Sequence, residues 1–373
     1  MLAAADLHPP LSTASEQAAG HYLEGLRRYL TILPGAGRCF DNAYRCDPTG
    51  GLGPRRSPSE RPPWVRSRWR VRRWPPPARP VNALHISGRR TRRQDALQLL
   101  DAAGTDHFAV PSLRSVVLAD LGQLDRARAD AEAGLDRSPR SAHAAHGLAH
   151  VHYETGDHEA GRAWLTGWAA DFDRRGMGPH LDWHLALHDL ALGDVEQLLD
   201  RYARSVAPCT AATLYVDAVD ILWRSRLRGV PVEDQLAALR GVVPTPEAAT
   251  GSSLAVLHSV VLLAGTGDEV GLRAAVRVLP KGAGRSVLGI ARALLAVVTG
   301  DLTTAVQELE SVDGDLVSVA ASDAQLDLVS STLLRCYDQL DRAPAPDVFL
   351  MARLRRCDRA EVELAPRRRP PAG

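Results

Sequence analysis

Histidine is the residue type through which this chain could do chemistry. Eight of its thirteen histidines fall between His143 and His188. His146 and His150 form one i, i+4 pair, and His180 and His184 form another. This spacing puts two imidazoles on one face of a helix, where both can reach the same metal ion. The pairs are 34 residues apart, so stacking of successive helix pairs could bring four imidazoles together.

Two observations oppose a metal site. Gly156 and Gly193, which mark equivalent turns, are 37 residues apart, and the offset of three residues rotates the second pair by about 60°. The chain also has no His-Glu-x-x-His motif. Three roles therefore stay open for the histidines: hydrogen bonding between packed helices, contact with a bound ligand, and metal binding or catalysis. We predict no catalytic residue and no cofactor, and we keep His146, His150, His180 and His184 as candidate metal ligands.

The elements that must position these residues are pairs of helices. Six turn glycines recur at spacings of 34, 37, 36, 38 and 33 residues: Gly122, Gly156, Gly193, Gly229, Gly267 and Gly300. Such a regular interval is typical of helix-turn-helix repeats. The sequence therefore predicts an all-α fold, a right-handed α-solenoid of about six to seven helical hairpins similar to tetratricopeptide repeats.

The stretch from Ser141 to Leu165 shows the design of one hairpin. Apolar residues recur at helical spacing before Gly156, which can take the positive φ that ends a helix. Asp157 can then cap the next helix. Ala149 and Gly161 are small enough to let the two helices approach closely.

The first helices of successive hairpins are predicted to line a concave face that binds a peptide or protein segment. Ten residues are candidates for contact with it: His143, His146, His150, Tyr153, Glu154, His180, Trp183, His184, Trp223 and Arg224. The protein would then be a non-enzymatic scaffold or adaptor. The alternative is a metal-dependent hydrolase or a small-molecule-binding protein that uses the histidines. For the tryptophans, core packing is the plainer interpretation, and for Arg224 an ion pair with Asp217 or Asp220.

The chain divides into four predicted segments. Residues 1–48 form a helical pair, 49–93 an Arg/Pro-rich segment, 94–362 the helical repeat domain, and 363–373 a disordered tail. The repeat domain should end with helices at about Asp323–Leu340 and Asp347–Val362.

Residues 49–93 differ in composition from the rest. Thirteen Arg against one Glu give this segment a charge of +12, so the rest carries −11 because the whole chain is +1. Trp64, Trp69 and Trp74 lie between the arginines, a pattern that would also suit nucleic acid. We favour instead an exposed unstructured segment, or a frame-shifted stretch of a GC-rich gene.

The remaining features predict a cytoplasmic protein. The first residues lack the basic and apolar regions of a signal peptide, and the longest apolar runs are too short to span a membrane. The five cysteines show neither zinc spacing nor a disulfide framework. We expect a protein or peptide partner, with no membrane and no nucleic acid.

Three runs resemble the tetratricopeptide repeat protein 38 family. They are His146–Asp157, His180–Asp194 and Val216–Gly229, which include paired histidines, a His-x-x-Trp-His-x-Ala-Leu run and an Asp-rich helix that ends in Leu-Trp-Arg. The resemblance covers roughly residues 10–53 and 108–312, and the Arg/Pro segment stands where the family has helical repeats. It implies an all-α repeat solenoid in the cytoplasm, with no reaction to transfer.

Overall fold

The structure is a computed structural model that describes residues 15–30, 36–47, 90–103, 109–172, 177–207, 215–249, 253–279, 284–312, 319 and 322–343. The chain forms two compact units. The first comprises residues 1–83, 94–148 and 171–178, and the second comprises residues 84–93, 149–170 and 179–373.

The described residues form sixteen α-helices and no strand, so the predicted all-α class is confirmed. In chain order they are α1 (Glu16–Leu30), α2 (Ala36–Cys46), α3 (Arg90–Ala103), α4 (Ala109–Asp120), α5 (Leu124–Arg137), α6 (Ala142–Thr155), α7 (His158–Ala169), α8 (Gly178–Leu192), α9 (Val195–Arg201), α10 (Tyr215–Leu227), α11 (Glu233–Leu239), α12 (Ser253–Gly265), α13 (Glu269–Val278), α14 (Gly284–Thr299), α15 (Leu302–Ser311) and α16 (Asp323–Gln339). A π-helical turn, Tyr202–Val206, continues α9.

All six predicted turn glycines join consecutive helices and have positive φ, between 66° and 80°. A side chain would be strained in this conformation, which explains why glycine recurs there. The aspartates after Gly193, Gly267 and Gly300 cap the next helix by accepting a hydrogen bond from a backbone N–H. Asp157 makes no such bond, and its carboxylate instead accepts from the Thr155 hydroxyl at 3.0 Å.

The first unit contains two helix pairs that pack together locally, α1 with α2 and α4 with α5. Arg114 on α4 holds α5 through two hydrogen bonds to Asp130, of 2.5 and 2.7 Å. Gly134 on α5 lies so close to Ser112 that an added Cβ would meet the serine hydroxyl. The pair of α4 and α5 is therefore stabilised by a bidentate ion pair and by the close approach of small residues.

The second unit packs its helices in chain order. Helix α10 contacts α12, and α12 contacts α14, while α11, α13 and α15 pack beside the helices that precede them. One apolar core runs through this unit, from Tyr153 to Tyr337. Successive hairpins thus share one hydrophobic interior.

Most of helix α16 is buried. Twelve of its seventeen residues are buried, including the polar residues Gln325, Asp327, Ser330 and Thr332, whereas Arg335 and Asp338 near its C-terminal end are exposed. It packs against α15, and it also hydrogen-bonds to α6 and α10, through Tyr153 and Trp223. Its bounds match the predicted first helix of the final pair within one residue. A helix with buried residues on all faces belongs to the interior of a domain rather than to its surface.

Some predictions fall on residues outside the described ranges. They include Asp347–Val362, the tail from residue 363 and the Arg/Pro segment as far as residue 89. Helix α3 begins at Arg90, four residues before the predicted start of the repeat domain. Among the described helices, none combines the length and the apolar character needed to cross a membrane.

Candidate functional site

Eight of the ten candidate contact residues lie in the second unit; His143 and His146 lie in the first, on the N-terminal half of α6. His146 and His180 are partly exposed, whereas the other eight are at most 7% exposed. A peptide on the surface therefore cannot touch most of these side chains in this conformation. The sequence analysis identified the polar residues of the site, but it did not predict that most of them are buried.

Two parallel hydrogen bonds join α8 to α10. His180 Nδ1 lies 2.8 Å from Asp217 Oδ2, and Trp183 Nε1 donates to Asp220 Oδ2 at 2.9 Å. The two donors are three residues apart, as are the two acceptors, so equivalent turns of the helices face each other. The His180 ring also stacks on Trp183, with centroids 5.1 Å apart. The two hydrogen bonds fix the register between α8 and α10.

Arg224 is the centre of a buried polar network. Its Nε donates to Asp220 Oδ1 at 3.0 Å, which confirms the predicted i, i+4 ion pair. Its Nη1 donates to Tyr153 Oη at 2.9 Å, and Nη2 donates to the Ala324 carbonyl. Tyr153 in turn donates to Asp327 Oδ2 at 3.0 Å. The network therefore connects α6, α10 and α16.

Burial governs the charge of Asp220. It raises the pKa of this carboxyl to about 6, although Arg224 and the hydrogen bond from Trp183 oppose the shift. Asp217, the other predicted ion-pair partner of Arg224, bonds to His180 instead. One buried guanidinium thus faces one buried carboxyl, and a buried charge needs such a partner.

His184 lies at the centre of the histidine cluster. It is fully buried, and the centroid of its ring is 4.6 Å from that of His150 and 5.0 Å from that of His180. Burial, and after it the neighbouring His150 and His180, lowers the pKa of His184 well below its ordinary value. The imidazole is therefore neutral at physiological pH, which is the form that binds metals.

The four candidate metal ligands are not equivalent. His150 and His184 have ring nitrogens within 4.8 Å of each other, and His146, one turn before His150 on α6, has a nitrogen within the same distance of His150. His180 is held by Asp217 through its Nδ1. Of the predicted contacts between imidazoles of different helices, the structure thus shows the one between His150 on α6 and His184 on α8.

The remaining candidates are part of the interior. Trp223 donates from Nε1 to Thr332 Oγ1 at 2.9 Å, and His143 and Glu154 are buried on α6. Trp183 and Trp223 are at most 2% exposed, so the core-packing interpretation is correct for both.

Sequence reasoning missed a second polar cluster, where α7, α8 and α9 meet. Buried Asp189 accepts from Arg201 Nε at 2.9 Å, and Arg162 lies 3.5 Å away. Nearby, the Nδ1 atoms of His158 and His188 are 3.0 Å apart, so one ring must donate and the other accept. The available signal was the i, i+4 spacing of His184 and His188, which puts His188 one turn further along the same face.

Gly161 is predicted to be essential for this cluster. A Cβ at this position would lie 2.7 Å from both His188 Nε2 and His152 Cβ. Gly161→Ala should therefore destabilise the fold by about 1–3 kcal/mol through overpacking. The measurement is urea unfolding followed by circular dichroism. Gly167→Ala on the same helix is the matched control, because it has open space around it and should stabilise the fold by up to about 1 kcal/mol. Equal effects of the two changes would contradict the prediction.

Stability should fall as the solution is acidified. Burial lowers the pKa of His188 to about 3 and of His258 to about 4, and His184 shifts in the same direction. The unfolded chain binds these protons below about pH 6.5 and the folded chain does not. Each histidine thus gives stability that is present above pH 6.5 and lost on acidification. Asp220 has the opposite effect on stability. Because its pKa is raised in the folded state, the folded chain binds this proton at a higher pH than the unfolded chain does.

We therefore expect the free energy of unfolding to fall by about 3 kcal/mol per pH unit below pH 6. The three buried histidines each lower the stability on acidification, and Asp220 offsets one of these three contributions. Urea titrations at pH 7, 6 and 5 measure it. His258→Gln should reduce this slope by about 1.4 kcal/mol per pH unit. A flat profile in the unaltered protein, or an unchanged slope in the variant, would disprove the assignment.

The fold and the site together define an all-α protein of paired helices with a buried histidine, aspartate and arginine cluster. The chain matches no protein-family model and no solved structure.

Proposed function

We propose that this protein is a non-enzymatic scaffold or adaptor that binds a helical protein segment along its first helices. It would be a right-handed solenoid similar to tetratricopeptide repeats, as its resemblance to the tetratricopeptide repeat protein 38 family implies. Six hairpins with equivalent positive-φ turns support a repeat architecture. Repeat proteins commonly use the surface lined by such helices for binding.

The observation that carries the proposal is how α16 is held. Three residues predicted to contact a partner each bond to this helix: Tyr153 to Asp327, Trp223 to Thr332, and Arg224 to the Ala324 carbonyl. The same residues can therefore recognise a helix through a carboxylate, a hydroxyl and a backbone carbonyl in its first turn. In this interpretation α16 itself fills the helix-binding site formed by Tyr153, Trp223 and Arg224. A partner helix with similarly placed polar groups would compete with α16 for these three residues.

The competition can be measured with a labelled peptide of residues 322–343 added to the full chain. Asp327→Ala with Thr332→Val removes two bonds of the resident helix, each worth about 1–3 kcal/mol when its partner stays buried. This double variant should bind the peptide at least about tenfold more tightly than the unaltered chain. The peptide itself keeps both residues, so the contacts it makes are the native ones.

Arg335→Ala with Asp338→Ala is the matched control. This pair lies on the same helix, is about half exposed and does not bond to Tyr153, Trp223 or Arg224. The control should bind the peptide as the unaltered chain does. Failure of the double variant to bind the peptide, while its circular dichroism stays native, would refute a helix-binding function for these residues.

A metal-dependent hydrolase or a small-molecule-binding protein is the alternative function. The histidines provide suitable ligands, but His150 and His184 are at most 1% exposed. A substrate needs an open path to the metal and a free coordination position. The burial therefore favours binding over turnover.

A further inference from the structure

We propose that the helix bound by this protein carries alanine at the position where α16 carries Ser330. The inference rests on the proposed helix-binding function, and it names the chemistry of the partner. Such a helix has an acidic residue, an alanine three positions later and a hydroxyl residue two positions after the alanine. It would fill the site of α16 more tightly than the sequence of α16 itself does.

Ser330 differs from the other buried polar residues of α16. Asp327 and Thr332 each accept a hydrogen bond from another helix, and Gln325 completes the capping box at the start of α16. Ser330 is 0% exposed, and its hydroxyl has no hydrogen-bond partner among the described residues. It is therefore a polar group that α16 buries without compensation.

The neighbours of Ser330 along the helix are apolar. Leu326, Leu333 and Leu334 lie on the same side of α16, at i−4, i+3 and i+4, and all three belong to the apolar core. The helix backbone does not satisfy the hydroxyl either. Thr332 donates at 2.7 Å to the carbonyl four residues before it, whereas Ser330 makes no equivalent bond. A hydroxyl in such surroundings lowers stability.

The buried hydroxyl weakens the hold of α16 on its own site. A buried polar group without a partner bears the full cost of leaving water, whereas an apolar group at the same place does not. Alanine in place of Ser330 removes only the hydroxyl oxygen. Specificity is a difference between two affinities. A partner with alanine here, and with the same carboxylate and hydroxyl on either side, would therefore displace α16 without making any additional contact.

The test compares two labelled peptides of residues 322–343, one with Ser330→Ala and the other with Ser331→Ala. Each is added to the full chain that carries Asp327→Ala with Thr332→Val. Ser331 is the matched control, because it is the next residue of the same helix and is only partly buried. Both changes raise the helix propensity of the peptide equally. The Ser330→Ala peptide should bind at least about fivefold more tightly than the control peptide.

The same substitution in the full chain should have the opposite effect on binding. Ser330→Ala, in a chain without other changes, should hold α16 more firmly in its site. This chain should bind the unaltered peptide at least about fivefold more weakly than the Ser331→Ala chain does. It should also unfold at a higher urea concentration than the Ser331→Ala chain, a result that does not depend on any peptide.

The possible failures are distinct. Equal binding of the two peptides, or weaker binding of the Ser330→Ala peptide, would overturn the inference, because the buried hydroxyl would then carry no penalty. The helix-binding function would survive that result, since the peptides bind. If neither peptide binds the double variant while its circular dichroism stays native, the helix-binding function is refuted and this inference with it.

Discussion

Replacement of Arg224 by methionine should lower the free energy of unfolding by about 3–5 kcal/mol, because it leaves buried Asp220 without its ion-pair partner. The variant also removes the donors to Tyr153 and to the Ala324 carbonyl. Methionine keeps most of the side-chain length, so loss of packing is a small part of the effect. Urea unfolding at pH 7 measures the difference.

Arg204→Met is the matched control for this prediction. Arg204 pairs with Asp200 at the same i, i+4 spacing, but the two side chains are 68% and 46% exposed. Exposed pairs contribute about 0.2–1 kcal/mol, so the control should change stability little. If both variants lose the same amount, the difference in burial would not govern the strength of these pairs.

Replacement of Leu333 by alanine should cost about 2–5 kcal/mol, the usual range for a buried leucine. Leu333 lies on α16 and is fully buried within the main apolar core. The same replacement on a helix that lay at the surface of the protein would cost much less stability. The effect therefore tests whether α16 is part of the interior.

Leu340→Ala serves as the comparison, because Leu340 follows the same helix and is only partly buried. We expect a loss of less than about 1 kcal/mol there. Thermal unfolding of both variants, followed by the same probe, gives the ranking. A Leu333→Ala protein as stable as Leu340→Ala would exclude α16 from the core.

The helix pairs could be predicted from the sequence because their signals are local. A glycine that must have positive φ, followed by an aspartate that can cap a helix, identifies each turn within a few residues. Gly193 with Asp194 and Gly300 with Asp301 show the predicted conformation in full. The Arg224 ion pair could be predicted for the same reason, since its partner is one helical turn away.

The burial of the site residues could not be predicted from the sequence, because it depends on α16, a helix far along the chain. The candidate residues were expected on an open face, and Tyr153 and Trp223 are covered by α16. No pattern within α6 or α10 specifies that cover. The pairing of Asp217 with His180 rather than Arg224 was likewise set by the packing of α8 on α10, which local spacing does not determine.

The position of α16 has a consequence for synthesis of the protein. Its bonds to Tyr153, Trp223 and the Arg224 guanidinium join residues 174, 109 and 100 positions apart. Repeat arrays can fold as they leave the ribosome, because each unit contacts only its neighbours. Here the inner surfaces of α6 and α10 stay uncovered until residue 339 has been made. The nascent chain therefore exposes apolar surface while the residues between α6 and the end of α16 are synthesised, a period in which chaperones protect such intermediates from aggregation.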